Sequence, residues 1–388
     1  MIVTLKDITT KITKGTTPTS IGCKFEKSGI NFIKSESLVD GKTIDKSKFA
    51  FISERTHERL KRSQIEENDI LFSMAGMFLG KTGIATAEVV PANTNQAVAI
   101  IRVDDTKANY EYVYYYLNQK SVIHTINTTS AQSAQPNINL KQIGEIKINL
   151  PDRKKQDQIV SLLSAIDLKI SNNVEINDNL EQQAAALFSS LYNRSNTEVR
   201  YTDLIQILGG GTPKTGETAY WNGNIAFFTP KDVGTPYTFI TEKTITEEGL
   251  SHCNSRLYPV NTVFVTARGT VGKVGLSGVP MAMNQSCYAL VGKETHQLLV
   301  YFYTLKAVDR LKHKASGAVF DAITTRDFDS EQIMKLSDDD AKAFLCVAEP
   351  MFQEILNNSI ENLRLSTLRD FLLPKLMSGE IDVSSVQL

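Results

Sequence analysis

Residues 75–83 read AGMFLGKTG and hold most of what a phosphate-binding loop needs. Such a loop asks for glycines that bring backbone N–H groups to the phosphates, a lysine for the terminal phosphates and a hydroxyl for magnesium. Gly76, Gly80, Lys81 and Thr82 are residues of those types. The spacing is one residue short, with three residues rather than four between Gly76 and Gly80. The flanks disagree as well. The apolar run at 69–73 suits a buried strand, but the chain after Gly83 is β-branched and broken by Pro91, which predicts strand, turn, strand in place of the required helix. The stretch therefore reads as a tight glycine-rich hairpin with one lysine. The rival reading, a nucleotide hydrolase built on residues 75–83, requires ATP binding that Lys81→Ala abolishes.

The elements that would position Lys81 occur twice. KGTTPT (14–19) returns as GGGTPK (209–214), INFIKSESL (30–38) as IAFFTPKDV (225–233), and NDILFSMAGMFLGKTG (68–83) as NTVFVTARGTVGKVG (261–275). NQAVAII (95–101) returns as NQSCYAL (284–290), and VYYYL (113–117) as VYFYTL (300–305). The second copy has Val274 where a phosphate loop needs a hydroxyl, so the shared feature is the hairpin. Lys81 and Lys273 sit at matched turn positions, suited either to a phosphate contact or to simple solvation.

If the two halves contact nucleic acid, a difference at an otherwise matched loop position is what reading different bases would require. Arg268 stands where the first half has Ala75, and Arg is the usual partner of guanine O6 and N7. Lys34, Ser35 and Glu36 follow one matched strand, and Thr229, Lys231 and Asp232 follow the other. Asn95-Gln96 and Asn284-Gln285 are kept in both halves, which favours turn bridging over base readout. The loops at 127–137 and 312–321 are polar, and Lys312 and Lys314, with Arg310 and His313, form a basic run able to grip phosphates. The Tyr114–Tyr116 and Tyr301–Tyr303 clusters read as scaffold.

Each half ends in a long helix. The first is expected from about Asp152 to Tyr192, with a seam of Leu163, Ile166, Ile170, Leu180, Ala184, Leu187 and Leu191 interrupted by Asn173 and Asn177. The second is expected from about Asp338 to Met377, with Ala348, Met351, Ile355, Leu365, Leu372 and Leu376 interrupted by Asn358 and Asn362. Packed antiparallel, the helices would bring these four asparagines together, and buried Asn at a seam fixes register. Pro350 and Pro374 predict a kink or a late start in the second helix.

The fold class expected is α+β: two pseudo-repeated mixed α/β domains separated by two long antiparallel coiled-coil-like helices, with pseudo-two-fold symmetry. The divisions are residues 1–150, a first helix 151–197, a second domain 198–336, a second helix 337–380 and a tail 381–388. Residues 1–150 hold 19 Lys+Arg against 15 Asp+Glu, whereas residues 337–388 hold 4 against 9. Positive charge in a globular part and negative charge in a helical spacer suit a DNA reader that also docks protein. Hydrophobic residues make up 41% and charged residues 22%, the composition of a soluble globular chain, and no apolar run is long enough to span a membrane. The N-terminus lacks the apolar core of a signal peptide. The four scattered cysteines show no metal-ligand spacing, and none of the five histidines has an acid–base partner at a recognisable spacing, so no metal site is expected.

On the repeat, the GTP turns, the paired G-K-x-G hairpins followed by Asn-Gln, INLPDRKKQDQIV (148–160) and LRDFLLPKLMSGEI (368–381), the sequence resembles the specificity subunits of bacterial type I restriction-modification systems. The stretch before the second helix, KLSDDDAKAFLCVAEP (335–350), departs from the family's usual form. The resemblance covers essentially the whole chain. It implies two target recognition domains, each reading half of a bipartite site in double-stranded DNA, and helices that set the spacer and dock two methyltransferase subunits. No cofactor is expected in this chain. S-adenosylmethionine, ATP and magnesium would belong to the methyltransferase subunits, which methylate adenine N6, and to restriction subunits where a system has them. The expected setting is the cytoplasm of a bacterium or archaeon. A stand-alone DNA-binding or scaffold protein of the same fold is the alternative.

Overall fold

A computed structural model describes residues 1–388 except 40, 131–136, 235, 315–321 and 384–388. It divides into two compact units, Met1–Leu168 with Leu365–Leu388, and Lys169–Arg364. The divisions cut both long helices, so each unit holds one sheet domain and a stretch of each helix.

Short β-branched and aromatic runs build two sheets in the first unit. One has the order Thr9–Lys14, Val98–Val103, Ile70–Ser73, Thr82–Ile84, with all neighbours antiparallel. The other has the order Ala50–Ile52, Ile30–Ile33, Ala92–Thr94, Gln64–Ile65, with its central pair parallel. Ile2–Thr4 pairs with Lys147–Asn149. The second unit repeats this plan. Ile205–Gly209, Cys287–Gly292, Val263–Thr266 and Val274–Ser277 form one sheet, extended by Tyr237–Thr238, and Lys243–Ile245, Trp221–Phe228 and Met281–Met283 form the other. The repeat extends to register: Ile70 faces Ile101 as Val263 faces Leu290. Asn68 and Asn261, which enter the matched hairpins, both have φ of 69°, a left-handed conformation that Asn tolerates better than most residues. The glycines of the GTP turns are explained by close approach. A Cβ on Gly15 would lie 1.8 Å from the Thr94 carbonyl oxygen, and one on Gly210 would lie 2.2 Å from that of Asn284.

The first long helix runs Arg153–Arg194 and the second Asp338–Ser378. The second is one continuous α-helix from Asp338, so Pro350 and Pro374 do not delay its start. Both prolines are exposed, and so are Cys346 and Asp370, whose carbonyls lose their helical partners. Water can satisfy those carbonyls, and the buried face of the helix stays intact. Within the second unit the helices run antiparallel, and the four asparagines meet. Asn173 Nδ2 donates to Asn362 Oδ1 at 2.9 Å and Asn358 Nδ2 donates to Asn177 Oδ1 at 3.0 Å. Asn173 also donates to Glu361 at 2.7 Å, and Glu361 pairs with Lys169 at 3.2 Å. These partners hold the Glu361 carboxyl below the usual carboxylate range. Asn173, Asn177 and Asn358 are buried and Asn362 is half-buried.

Both sheet domains bury apolar side chains against their helix stretches, Leu163, Leu373 and Leu376 in the first unit and Ala184, Ala348 and Ile355 in the second, and they differ in what is added to that burial. In the first unit Lys42 Nζ donates to the Glu111 carboxylate and to Ser164 Oγ at 2.8 Å, and lies 4.5 Å over the Tyr115 ring. Tyr115 donates to Asp167 at 2.5 Å, and Asp167 takes Arg369 at 3.0 Å. Burial and the Asp167 carboxylate push the Tyr115 hydroxyl far above the ordinary tyrosine range, so it stays a donor. In the second unit the addition is a ring cluster. Phe188 stacks on Phe302 at 5.0 Å and meets Phe344 and Tyr303 edge-on at 5.4 Å each, while Phe302 meets Phe352 at 5.6 Å.

Candidate nucleic-acid interface

The hairpin at 75–83 closes as a hairpin. Residues Gly76–Phe78 form one 3-10 turn, and Thr82–Ile84 then pairs back onto Ile70–Ser73. Gly76 and Gly80 take φ of 72° and 85°, which a Cβ would oppose. Thr82, the would-be magnesium hydroxyl, is 2% exposed and donates to Asn118 Oδ1 at 2.9 Å. The second hairpin is built alike, with Gly269 and Gly272 at 81° and 75°. Each hairpin takes one further partner from beyond a polar loop. Ala75 bridges Asn137 and Arg268 bridges Ala322, both antiparallel. The intervening residues 131–136 and 315–321, parts of the two loops singled out from the sequence, lie outside the described residues.

In the second unit Thr229, Lys231 and Arg268 line one cleft of about 370 Å³. Glu242, Lys243, Thr270, Asn284 and Ser286 join them there. Asp232 is engaged within its own loop. Its Oδ2 accepts from Thr229 N–H at 2.7 Å and Thr229 Oγ1 at 2.6 Å, and its Oδ1 accepts from Glu242 N–H at 2.8 Å. With both oxygens engaged, the side chain shapes the loop instead of facing outward. Lys273 is exposed on the hairpin turn. Lys312 crosses that turn, where a Cβ on Gly272 would lie 2.6 Å from its Cε. Lys314 is drawn the other way. It pairs with the fully buried Glu331 at 2.5 Å, and Arg310 pairs with the same carboxylate at 2.7 Å. The basic run thus supplies Lys312 to the hairpin and commits Arg310 and Lys314 to a buried anion.

In the first unit Lys34, Ser35 and Glu36 are half-buried at the 3-10 turn that follows Ile30–Ile33. Lys34 pairs with Glu36 at 3.6 Å and lies 5.5 Å over the Phe25 ring. Their loop packs on the hairpin: Ile84 N–H donates to the Lys42 carbonyl at 2.9 Å, and Gly83 leaves room for Ile44 and Leu38. Lys81 is half-buried at its turn. Met77, which the sequence reading passed over, is 88% exposed at the hairpin tip, where the second hairpin has Thr270. The kept asparagines are structural: Asn95 Oδ1 accepts from Ala97 N–H and Asn284 Oδ1 from Ser286 N–H, each at 3.0 Å. Gln96 and Gln285 each accept from the threonine of their GTP turn, Thr17 and Thr212. Tyr114, Tyr115, Tyr301 and Tyr303 are buried in the cores, as scaffold residues should be.

The profile of the family described as the type I restriction modification DNA specificity domain matches residues 1–182 and 193–335. The chain belongs to this family. Among its relatives, the specificity subunit of the HindI type I restriction enzyme of Haemophilus influenzae is 23% identical, over 70% of this chain and 77% of its own length. The EcoR124I/EcoR124II specificity subunit of Escherichia coli is 27% identical, over 55% of this chain and 54% of its own length. The crystal structure of a type I system S subunit from M. genitalium shares the fold, with a TM-score of 0.59 at 15% identity, covering 97% of this chain and 95% of that one. The repeated hairpin therefore belongs to a chain of the DNA specificity-domain family. Among the described residues no group of His, Cys, Asp and Glu could hold a metal, and no helix is long and apolar enough to cross a membrane.

Proposed function

We propose that this chain is the DNA-specificity subunit of a type I restriction-modification complex, each sheet domain reading one half of a bipartite site in double-stranded DNA. The observation that carries this is the pairing of identical frameworks with different loop chemistry: matched registers and matched glycine turns, but Arg268 against Ala75 and Lys231 against Glu36. The chain works without catalysis of its own. Its long helices set the distance between half-sites and dock two methyltransferase subunits, which bring S-adenosylmethionine to adenine N6. Restriction subunits, where the system has them, bring ATP and magnesium. The complex operates in the cytoplasm of its cell. Within this reading Lys81, Lys273 and Lys312 hold phosphates, while Lys34, Ser35 and Glu36 in one domain and Thr229, Lys231 and Arg268 in the other face bases.

The test is to map methylated adenines in cells carrying this chain and its methyltransferase. A single bipartite motif is the expected result. Exchanging the first domain for that of another family member should then change one half of the motif only. Absence of any sequence-directed methylation would refute the proposal.

A further inference from the structure

The cleft of the second unit is lined by both a free donor fork and a weakly engaged acceptor. Arg268 is exposed, and no carboxylate among the described residues pairs with it. Its backbone is well fixed. Arg268 N–H donates to the Ser286 carbonyl at 3.2 Å, and the neighbouring Ala267 carbonyl accepts from Ile323 N–H at 2.9 Å. A rigid main chain thus presents an unoccupied guanidinium. Glu242 enters the same cleft just before the strand Lys243–Ile245, its N–H held by Asp232. Its carboxylate is 57% exposed, with Lys231 Nζ 3.6 Å away.

Guanidinium groups only donate and carboxylates only accept. In the major groove guanine shows two acceptors, O6 and N7, and its cytosine shows one donor, the N4 amino group. An A·T pair offers no such division, because adenine itself shows both a donor and an acceptor. Resting on the specificity-subunit reading, we infer that this cleft reads one G·C base pair of the second half-site, Arg268 taking guanine O6 and N7 and Glu242 taking the cytosine amino group. Lys231 holds the Glu242 carboxylate at the rim until DNA arrives. The first domain carries Ala75 at the position of Arg268 and Phe49 at the position of Glu242, since Ala50 faces Phe32 as Lys243 faces Phe227. Neither residue can make these bonds, so the two domains read different pairs at matched positions.

The experiment maps methylated adenines for the wild-type chain, Arg268→Ala and Glu242→Ala, each with its methyltransferase. The wild-type second half-motif should contain a G·C pair. Arg268→Ala should lose about 10- to 100-fold of the discrimination at that pair, and Glu242→Ala should relax the same pair. The first half-motif should persist in both, which also reports that the complex assembles. In binding assays with the purified complex, 7-deazaguanine at that position, which removes N7 and keeps O6, should weaken wild type by part of what Arg268→Ala costs, and should not weaken Arg268→Ala further. A bipartite wild-type motif that Arg268→Ala leaves unchanged, or that the two variants relax at different positions, overturns the base-pair assignment and leaves the specificity reading standing. If a variant loses both half-motifs, the deazaguanine comparison on wild type decides, and unchanged affinity overturns the assignment. A wild-type chain that directs no motif overturns both.

Discussion

Both sheet domains pack apolar side chains on their helices, but the first adds a chain of charges and hydroxyls and the second a cluster of rings. The polar join runs from Lys42 through Glu111, Ser164, Tyr115 and Asp167 to Arg369. The aromatic join runs from Phe188 through Phe302, Phe344 and Phe352. Ring burial is strong and only loosely directional, so it supplies stability while tolerating small shifts. A half-buried polar network is the reverse: each bond fixes an angle, and each broken partner leaves a desolvated group behind. The same fold, copied twice in one chain, thus adds directional bonds to one apolar join and rings to the other.

The largest expected effect tests the aromatic side. Phe188 is 1% exposed, and Phe188→Ala should cost about 3–5 kcal/mol, seen as a shifted unfolding transition and as faster amide exchange in residues 169–364. Unchanged exchange there would mean the rings add nothing to the join. Next comes Lys42→Met, which strands Glu111 and should cost about 1–3 kcal/mol. Its exchange signature should be confined to the first unit, and Lys42→Arg should recover part of the loss. If Lys42→Met loosens the second unit equally, the two joins are not independent. A smaller effect belongs to Lys273→Ala. It should weaken binding to all duplexes alike and lower the salt dependence by about one counterion, with the methylated motif unchanged. A changed motif would move Lys273 to the bases. The mildest probe is thiol labelling. Cys346 is exposed, whereas Cys287 is fully buried and its thiol is pushed up to about 12 by burial. Cys346 should label in the folded state and Cys287 only when the second unit opens. Phe188→Ala should accelerate Cys287 and Lys42→Met should leave it alone.

The elements with local signatures were legible in the sequence. Strand, glycine turn and strand can be read from residues 68–84 because turn chemistry and β-branching act over a few positions. The long helices and their asparagine interruptions can be read from spacing alone. The partners missed are those separated by long stretches of chain. Glu331 lies in a different segment from Arg310 and Lys314, and nothing nearby marks it as buried, so the basic run looked free. Glu242 and Lys243 reach the cleft from a strand whose counterparts, Phe49 and Ala50, show no charge to compare. The bonds of Asp232 to the Thr229 and Glu242 backbone were hidden because they depend on how the loop folds back. The prolines misled for a related reason: their cost depends on which side of the helix they occupy, and both face water.

The paired asparagines make the helix stretch of the second unit behave like a mechanism with a single detent. Asn173 meets Asn362 and Asn177 meets Asn358, and both pairs obey one alignment. Leucines alone would allow the helices to settle one heptad apart with little change in contact, because one apolar knob serves a hole much as another does. Amides do not interchange in that way. A seven-residue slip in one direction would set Asn173 against Ile355, leaving its donor buried against hydrocarbon. The length of the pair is thereby counted in whole notches, and only one notch is comfortable.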